Sequence, residues 1–232
     1  MVLFVLIVYF ALISTKKAEQ NKVWVGLSKE TAHQLGTPIS SLMAWMDLLE
    51  SSGVDSSLLS DMNKDVNRLS VIAERFSKIG SKPEMELIYV NEVLENATEY
   101  MRRRVSDKVL ITTHLPSDAE GAMVCLSLFE WVIENLCKNA VDAMNGEGRI
   151  DVYMTSEKQQ IYIDIKDTGK GIARKNFKTV FNPGYTTKKR GWGLGLTLAK
   201  RIIEDYHAGR IYVKDSEVGK GTTFRIELKR VV

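Results

Sequence analysis

ENLCKNAVDAM, running from Glu134 to Met144, spaces Asn135, Asn139 and Asp142 at i, i+4 and i+7. That spacing sets the three on one face of a helix. Val132, Leu136, Ala140 and Ala143 fall on the other side as an apolar stripe to be buried. The expected helix, Leu126 to Met144, is amphipathic. Its polar stripe has oxygens suited to a hydrated magnesium ion, which keeps oxygen ligands and several waters. Taken by itself, the stripe is equally an ordinary solvated face.

Downstream, DIKDTGKGI (164–172) ends an alternating run on Asp167, Gly169 and Gly171. Glycines there permit positive φ and the close approach of a ligand. An aspartate at such a strand end can accept from an exocyclic amine; a plain β-turn has the same composition. Next comes NPGYTTKKRGWGLGLTLAKRI (182–202), with Gly191, Gly193 and Gly195 alternating directly before a helical stretch, Leu194 to Tyr206. Alternating glycines free backbone N–H groups to surround phosphate. Lys188 and Arg190 add positive charge, and Thr186 and Thr187 add hydroxyls. VGKGTTF, at 218–224, lacks the upstream glycine and the helix of a Walker loop.

The flanking segments VLITTHL, IDVYMT, IYIDIKD, GRIYVKD and TTFRIELKR alternate with a period of two, as half-buried strands do. With helices at 90–103, 126–144 and 194–206, residues 84–232 read as an α/β sandwich with helices on one face of a mixed sheet. Upstream of the break GSKPE (80–84) the period changes. Ala32, Leu35, Ile39, Leu42, Met46 and Leu49 form one heptad seam; Leu59, Met62, Val66, Leu69, Ala73 and Phe76 form another. Joined by the turn SSGVDSS (51–57), they predict an antiparallel helical hairpin over residues 18–80. The fold class is therefore α+β, and pairing two hairpins would close a four-helix bundle in a homodimer.

His33 lies just off the first seam and should face solvent, with Thr37 one turn on. Pro38 cannot donate to the Gln34 carbonyl, so the helix should loosen after His33. The alternative is a new helix with Thr37 as N-cap and Pro38 at N1. The start of the chain, MVLFVLIVYFALI, has thirteen apolar residues followed by Lys16 and Lys17. At about 20 Å as a helix it falls short of the ~30 Å hydrocarbon core. We read residues 1–15 as the inner end of a membrane helix with a basic cytoplasmic flank. The formal net charge of +3 and the lack of a long basic run argue against nucleic acid. Cys125 and Cys137 form neither a disulfide framework nor a zinc pattern.

Taken in order, the N-x-x-x-N helix, the D-x-G-x-G turn and the G-x-G-x-G loop resemble the catalytic core of bacterial sensor histidine kinases, over about residues 21–232. The resemblance implies an ATP-binding domain of the histidine kinase and Hsp90 type at 84–232. It makes Asn139, with Asn135 a turn earlier, the holder of Mg2+, and Asp167 the partner of adenine. Lys138, Asp142, Gly169, Gly171 and Ile172 would flank the nucleotide. NFKTVFNPGYTT, with Phe177, Phe181, Thr186 and Thr187, matches the family's phenylalanine box. GWGLGL, with Gly191, Gly193, Leu194 and Gly195, matches the second glycine box, beside Lys188; GKGTTF, with Thr222, matches a third. His33 through Pro38 match the phosphoacceptor box H-E-x-x-T-P.

His33 would then take the γ-phosphoryl of ATP and pass it to an aspartate of a response regulator. The chain would be a homodimer held at the inner (cytoplasmic) membrane by its N-terminal segment, with its catalytic part cytoplasmic and no nucleic-acid partner. Two departures stand out. Gln34 occupies the place of the usual acid and cannot take a proton; Gly36 occupies that of a common arginine. A water-activating ATPase of the gyrase and Hsp90 type needs a glutamate where Asn135 stands. A non-enzymatic dimeric scaffold is the other rival.

Overall fold

The computed structural model describes residues 1–81, 83–188 and 193–231, and the side chains of residues 2–24, 27 and 56–58 fall outside the described set. The expected membrane segment, residues 1–15, lies almost wholly among those side chains. Among the described residues no helix is long and apolar enough to cross a membrane. The chain divides into two compact units, Met1–Pro83 and Glu84–Val232.

The first unit is a hairpin of α1 (Val2–Ser51) and α2 (Ser56–Ile79). The chain reverses at Gly53, whose φ of +78° suits glycine. At the far end, a Cβ on Gly80 would come within 2.9 Å of the Lys29 backbone nitrogen, so only glycine lets the end of α2 lie this close to α1. Every second seam position is buried between the helices: Ile39, Met46, Val66 and Ala73 form one cluster, with Leu35 against it. Of the intervening positions, Leu42 and Leu69 are each 42% exposed and Leu49 and Met62 are exposed as well, while Leu35 and Phe76 are half-buried. The hairpin thus satisfies half of each seam by itself.

α1 runs through Pro38 without a break, which closes the reading of Thr37 and Pro38 as a new helix start and also overturns the expected loosening after His33. Whole turns on both sides hold the helix across the missing Gln34 bond. The Thr37 hydroxyl, 3.4 Å from the His33 carbonyl, bonds back across one turn.

The second unit is a sandwich. A five-stranded sheet has the order β2 (Val109–His114), β4 (Gly148–Glu157), β5 (Gln160–Asp167), β7 (Gly221–Lys229), β6 (Arg210–Glu217). β2 and β4 are parallel; the remaining pairs are antiparallel. Ile150, Val152, Ile161, Ile163, Ile165, Phe224, Ile226 and Leu228 are buried on one face. On that face also lies α4 (Leu126–Ala143), buried through Leu128, Phe129, Val132, Ile133, Leu136, Cys137 and Ala140. Ala143, expected in this stripe, is only half-buried.

α3 (Val90–Arg102) packs beside α4. A separate two-stranded sheet, β1 (Glu86–Tyr89) with β3 (Gly121–Val124), brackets α3 and was not anticipated from sequence. α5 (Gly195–Arg201) continues into a π-helical turn, Ile202–Tyr206.

Candidate functional site

The end of β5 builds one wall of the site. Register places Asp167 opposite Thr222 of β7 and Ile150 of β4. Asp167 is 3% exposed. Its Oδ1 accepts from the backbone N–H groups of Gly169 (2.8 Å) and Thr222 (3.3 Å). Oδ2 has no partner among the described residues. Burial raises the Asp167 pKa above the usual carboxylate value, against the two backbone donors, which lower it. The carboxylate is therefore oriented, desolvated and half satisfied, which suits a ligand amine.

Glycines make this arrangement possible. At Gly221, with φ +120°, a Cβ would collide with the Asp167 carbonyl oxygen; at Gly171, with φ +70°, it would collide with that of Glu217. The turn is closed by Ser216, which sequence reasoning missed. Its Oγ receives the Ile172 N–H (2.8 Å), donates to the Gly221 carbonyl (2.9 Å) and lies 2.9 Å from Thr222 Oγ1. A serine in a charged strand end, DSEVGKG, has no sequence signature for this role.

α4 contributes its polar stripe. Lys188 Nζ sits 2.9 Å from Asn139 Oδ1 and 2.5 Å from Asp142 Oδ2. A cation thus already rests among the oxygens proposed for magnesium, and this donor set fits a hydrated divalent ion. Asn135 is engaged differently: its amide donates to the Gly195 carbonyl at 3.3 Å, and Gly195 could not carry a Cβ without pressing on Asn135 Oδ1 at 3.1 Å. Lys138 is exposed.

The segment before α5 is brought to the same place. Lys170 donates to Thr187 Oγ1 (2.9 Å), and the Lys188 N–H donates to Thr186 Oγ1 (3.0 Å). Gly193, with φ +64°, receives the Gly184 N–H on its carbonyl at 3.2 Å. Gly193, Leu194 and Gly195 lead into α5 half-buried; Gly191 and Arg190 lie outside the described residues. Phe181 is a core residue: it is 5% exposed and packs edge-on to Phe224, with ring centroids 6.1 Å apart. Both its carbonyl and its ring are tied to α5, the first through Thr197 Oγ1 at 3.0 Å and the second by Lys200, whose Nζ lies 5.7 Å from the ring centroid.

The three histidines differ sharply. His207 is buried, and its Nε2 accepts the Cys125 N–H at 3.0 Å while its Nδ1 lies 2.7 Å from the Ile202 carbonyl. The first bond makes Nε2 an acceptor, so Nδ1 carries the proton and both nitrogens are committed. Burial lowers its pKa, against both backbone bonds. His114 stacks on Tyr153 at 4.4 Å and meets buried Asp151 at 3.2 Å. His33 is exposed on α1, and its ring has no hydrogen-bond partner among the described residues. Cys137 is inert: burial, with Glu134 adding to it, pushes its thiol up to about 12.

Residues 126–232 match the family described as histidine kinase-, DNA gyrase B-, and HSP90-like ATPase. Sporulation kinase A of Bacillus subtilis is 26% identical over 92% of this chain and 36% of its own length. Sensor histidine kinase ZraS of Salmonella typhimurium is 26% identical over 94% of this chain and 48% of its own. The chain thus spans half or less of the length of these curated relatives. In fold, it superposes with a TM-score of 0.61 on histidine kinase ThkA in complex with response regulator protein TrrA, at 18% identity, covering 96% of this chain and 66% of that one.

Proposed function

We propose that this chain, whose residues 126–232 carry the histidine kinase-, DNA gyrase B- and HSP90-like ATPase domain and whose relatives include sensor histidine kinases, is the catalytic portion of such a kinase. It transfers the γ-phosphoryl of ATP to His33 and passes it to an aspartate of a response-regulator receiver domain. The observation that carries this reading is the contrast among the histidines. His33 alone keeps both ring nitrogens uncommitted among the described residues, and it projects from a helix into solvent.

In this reading Asp167 accepts the adenine amine on the oxygen that Gly169 and Thr222 leave free. Asn139 and Asp142 hold magnesium, with Asn135 bracing the start of α5. Magnesium supplies neutralisation of phosphate charge when bound. Lys188, Thr186, Thr187 and the backbone of Gly193, Leu194 and Gly195 face the phosphates. His33 presents a nitrogen lone pair to phosphorus, and Thr37 ties the turn beneath it.

Asn135 also bears on the ATPase alternative. An amide occupied with the Gly195 carbonyl cannot take a proton from water, so hydrolysis lacks its base. The half-covered hairpin seams support a homodimer, and the apolar residues 1–15 support attachment to the inner membrane, with the catalytic part on the cytoplasmic side. Incubation with γ-labelled ATP and magnesium tests the activity. The parent should carry acid-labile phosphate, and His33→Ala should carry none while binding nucleotide as before. Acid-labile label on the variant would move the acceptor to His114 or elsewhere.

A further inference from the structure

The acceptor box poses a chemical problem that the hairpin addresses. Attack by one imidazole nitrogen on phosphorus leaves positive charge on the ring, and a carboxylate near the other N–H would stabilise it. Gln34 carries no charge. On α1, Glu30 is the single carboxylate between Glu19 and Asp47. It stands one turn before His33 and four residues before Gln34, where side chains of one helix meet.

The contact is made: Gln34 Nε2 donates to Glu30 Oε1 at 2.7 Å. That bond uses the amide's donor end and leaves its carbonyl oxygen as an acceptor. Glu30 has no cation partner among the described residues, whereas Glu74 on α2 is committed to Lys78 at 2.9 Å.

We propose that Glu30 is the positioning residue of the phosphoacceptor, acting through Gln34, and this rests on His33 being the acceptor. The Glu30 carboxylate holds and polarises the Gln34 amide, whose carbonyl stays open to accept, once the His33 ring turns to meet ATP, the N–H of the nitrogen that does not attack. The other nitrogen donates its lone pair to the γ-phosphorus. The N–P bond forms as the bond from phosphorus to the bridging oxygen breaks, and ADP leaves with that electron pair. The ring proton stays on the imidazolium, facing Gln34, until solvent removes it. One carboxylate, set back by an amide, thereby does the orienting work of an adjacent acid.

The test is a set of three variants in the full chain: Glu30→Gln, Gln34→Glu, and the two together. Single-turnover phosphorylation at saturating ATP should fall about tenfold in Glu30→Gln, less than loss of a direct base. Nucleotide affinity should not change. The double variant, which returns a carboxylate at position 34, should recover the parent rate. Nitrogen-15 NMR of the His33 ring, with magnesium and a non-hydrolysable ATP analogue bound, should show one tautomer dominant in the parent and a mixture in Glu30→Gln. A parent rate and unchanged tautomer in Glu30→Gln would overturn the proposal, as would failure of the double variant to recover. Absence of acid-labile phosphate on the parent would instead overturn the kinase reading on which it rests.

Discussion

Asp167→Asn separates binding from folding at a single atom. The asparagine can keep its side-chain oxygen where Oδ1 now accepts from Gly169 and Thr222, so the turn is preserved. Its NH2 then replaces Oδ2 and presents a donor where a ligand amine needs an acceptor. A hydrogen bond to a charged group contributes about 1.5–3 kcal/mol, so ATP affinity should fall about 10- to 150-fold. Stability should move the other way. The native pKa of Asp167 is raised by burial, so the group favours folding below its unfolded value of 3.8 and loses that contribution as pH rises through the native value. Above its native pKa the parent holds an ionised carboxylate at a site that disfavours charge, and the variant does not. Its melting temperature should therefore match or exceed the parent's at pH 7, with the gap closing in acid. Calorimetric titration with ATP and thermal melts from pH 3 to 7 measure both. Parent-like affinity in a folded variant would refute the adenine assignment.

His207 gives the opposite pH dependence. Its native pKa is lowered, so below about pH 6.5 the unfolded chain takes up a proton that the native ring refuses, and stability should decline as pH falls through that window. His207→Phe should remove this dependence and cost about 1–3 kcal/mol for the stranded Cys125 N–H, both read from melts across pH. Gly221→Ala should destabilise the second unit by more than about 2 kcal/mol, because the new methyl meets the Asp167 carbonyl. Gly53→Ala, with open space around it, should cost only about 1–2 kcal/mol for its positive φ; denaturant titration compares the two. If two hairpins pair through the uncovered seam, Leu42→Glu with Leu69→Glu should give monomers in sedimentation where the parent sediments as a dimer.

The parts of the fold that could be read in advance share one property, a long apolar period. The five strands of the main sheet each alternate over enough residues to declare a buried face, and α4 shows its stripe over five turns. β1 and β3 do neither. Four residues such as Glu86–Tyr89, three of them exposed, show no alternation, and their partner lies beyond a helix and a further strand. The hairpin seams were legible as heptads, yet not which positions the hairpin would cover alone.

In the site, Asp167 and the glycines announce themselves because backbone geometry restricts their places to a few residue types. Ser216 does not, since its hydroxyl serves a turn that includes Ile172, far away in sequence. Phe181 was read from its motif, and the motif alone did not show that its ring packs edge-on to Phe224 in the core. Pro38 misled in another way: local chemistry marks it as a breaker, but the length of α1 on either side outweighs one missing hydrogen bond.

The π-helical turn Ile202–Tyr206 sets a length constraint. There the His207 N–H reaches back five residues to the Ile202 carbonyl, at 3.2 Å, instead of four. The widened turn holds one residue more than an α-turn would, and the surplus decides where the next side chain emerges. With it, the imidazole reaches both its own turn and the N–H of Cys125, just before α4. Winding the same five residues as an ordinary α-helix would carry position 207 further around the axis, away from Cys125, whereas removing one of them would let the widened turn relax and leave position 207 in place. This stretch should therefore absorb the loss of one residue better than the gain of a second.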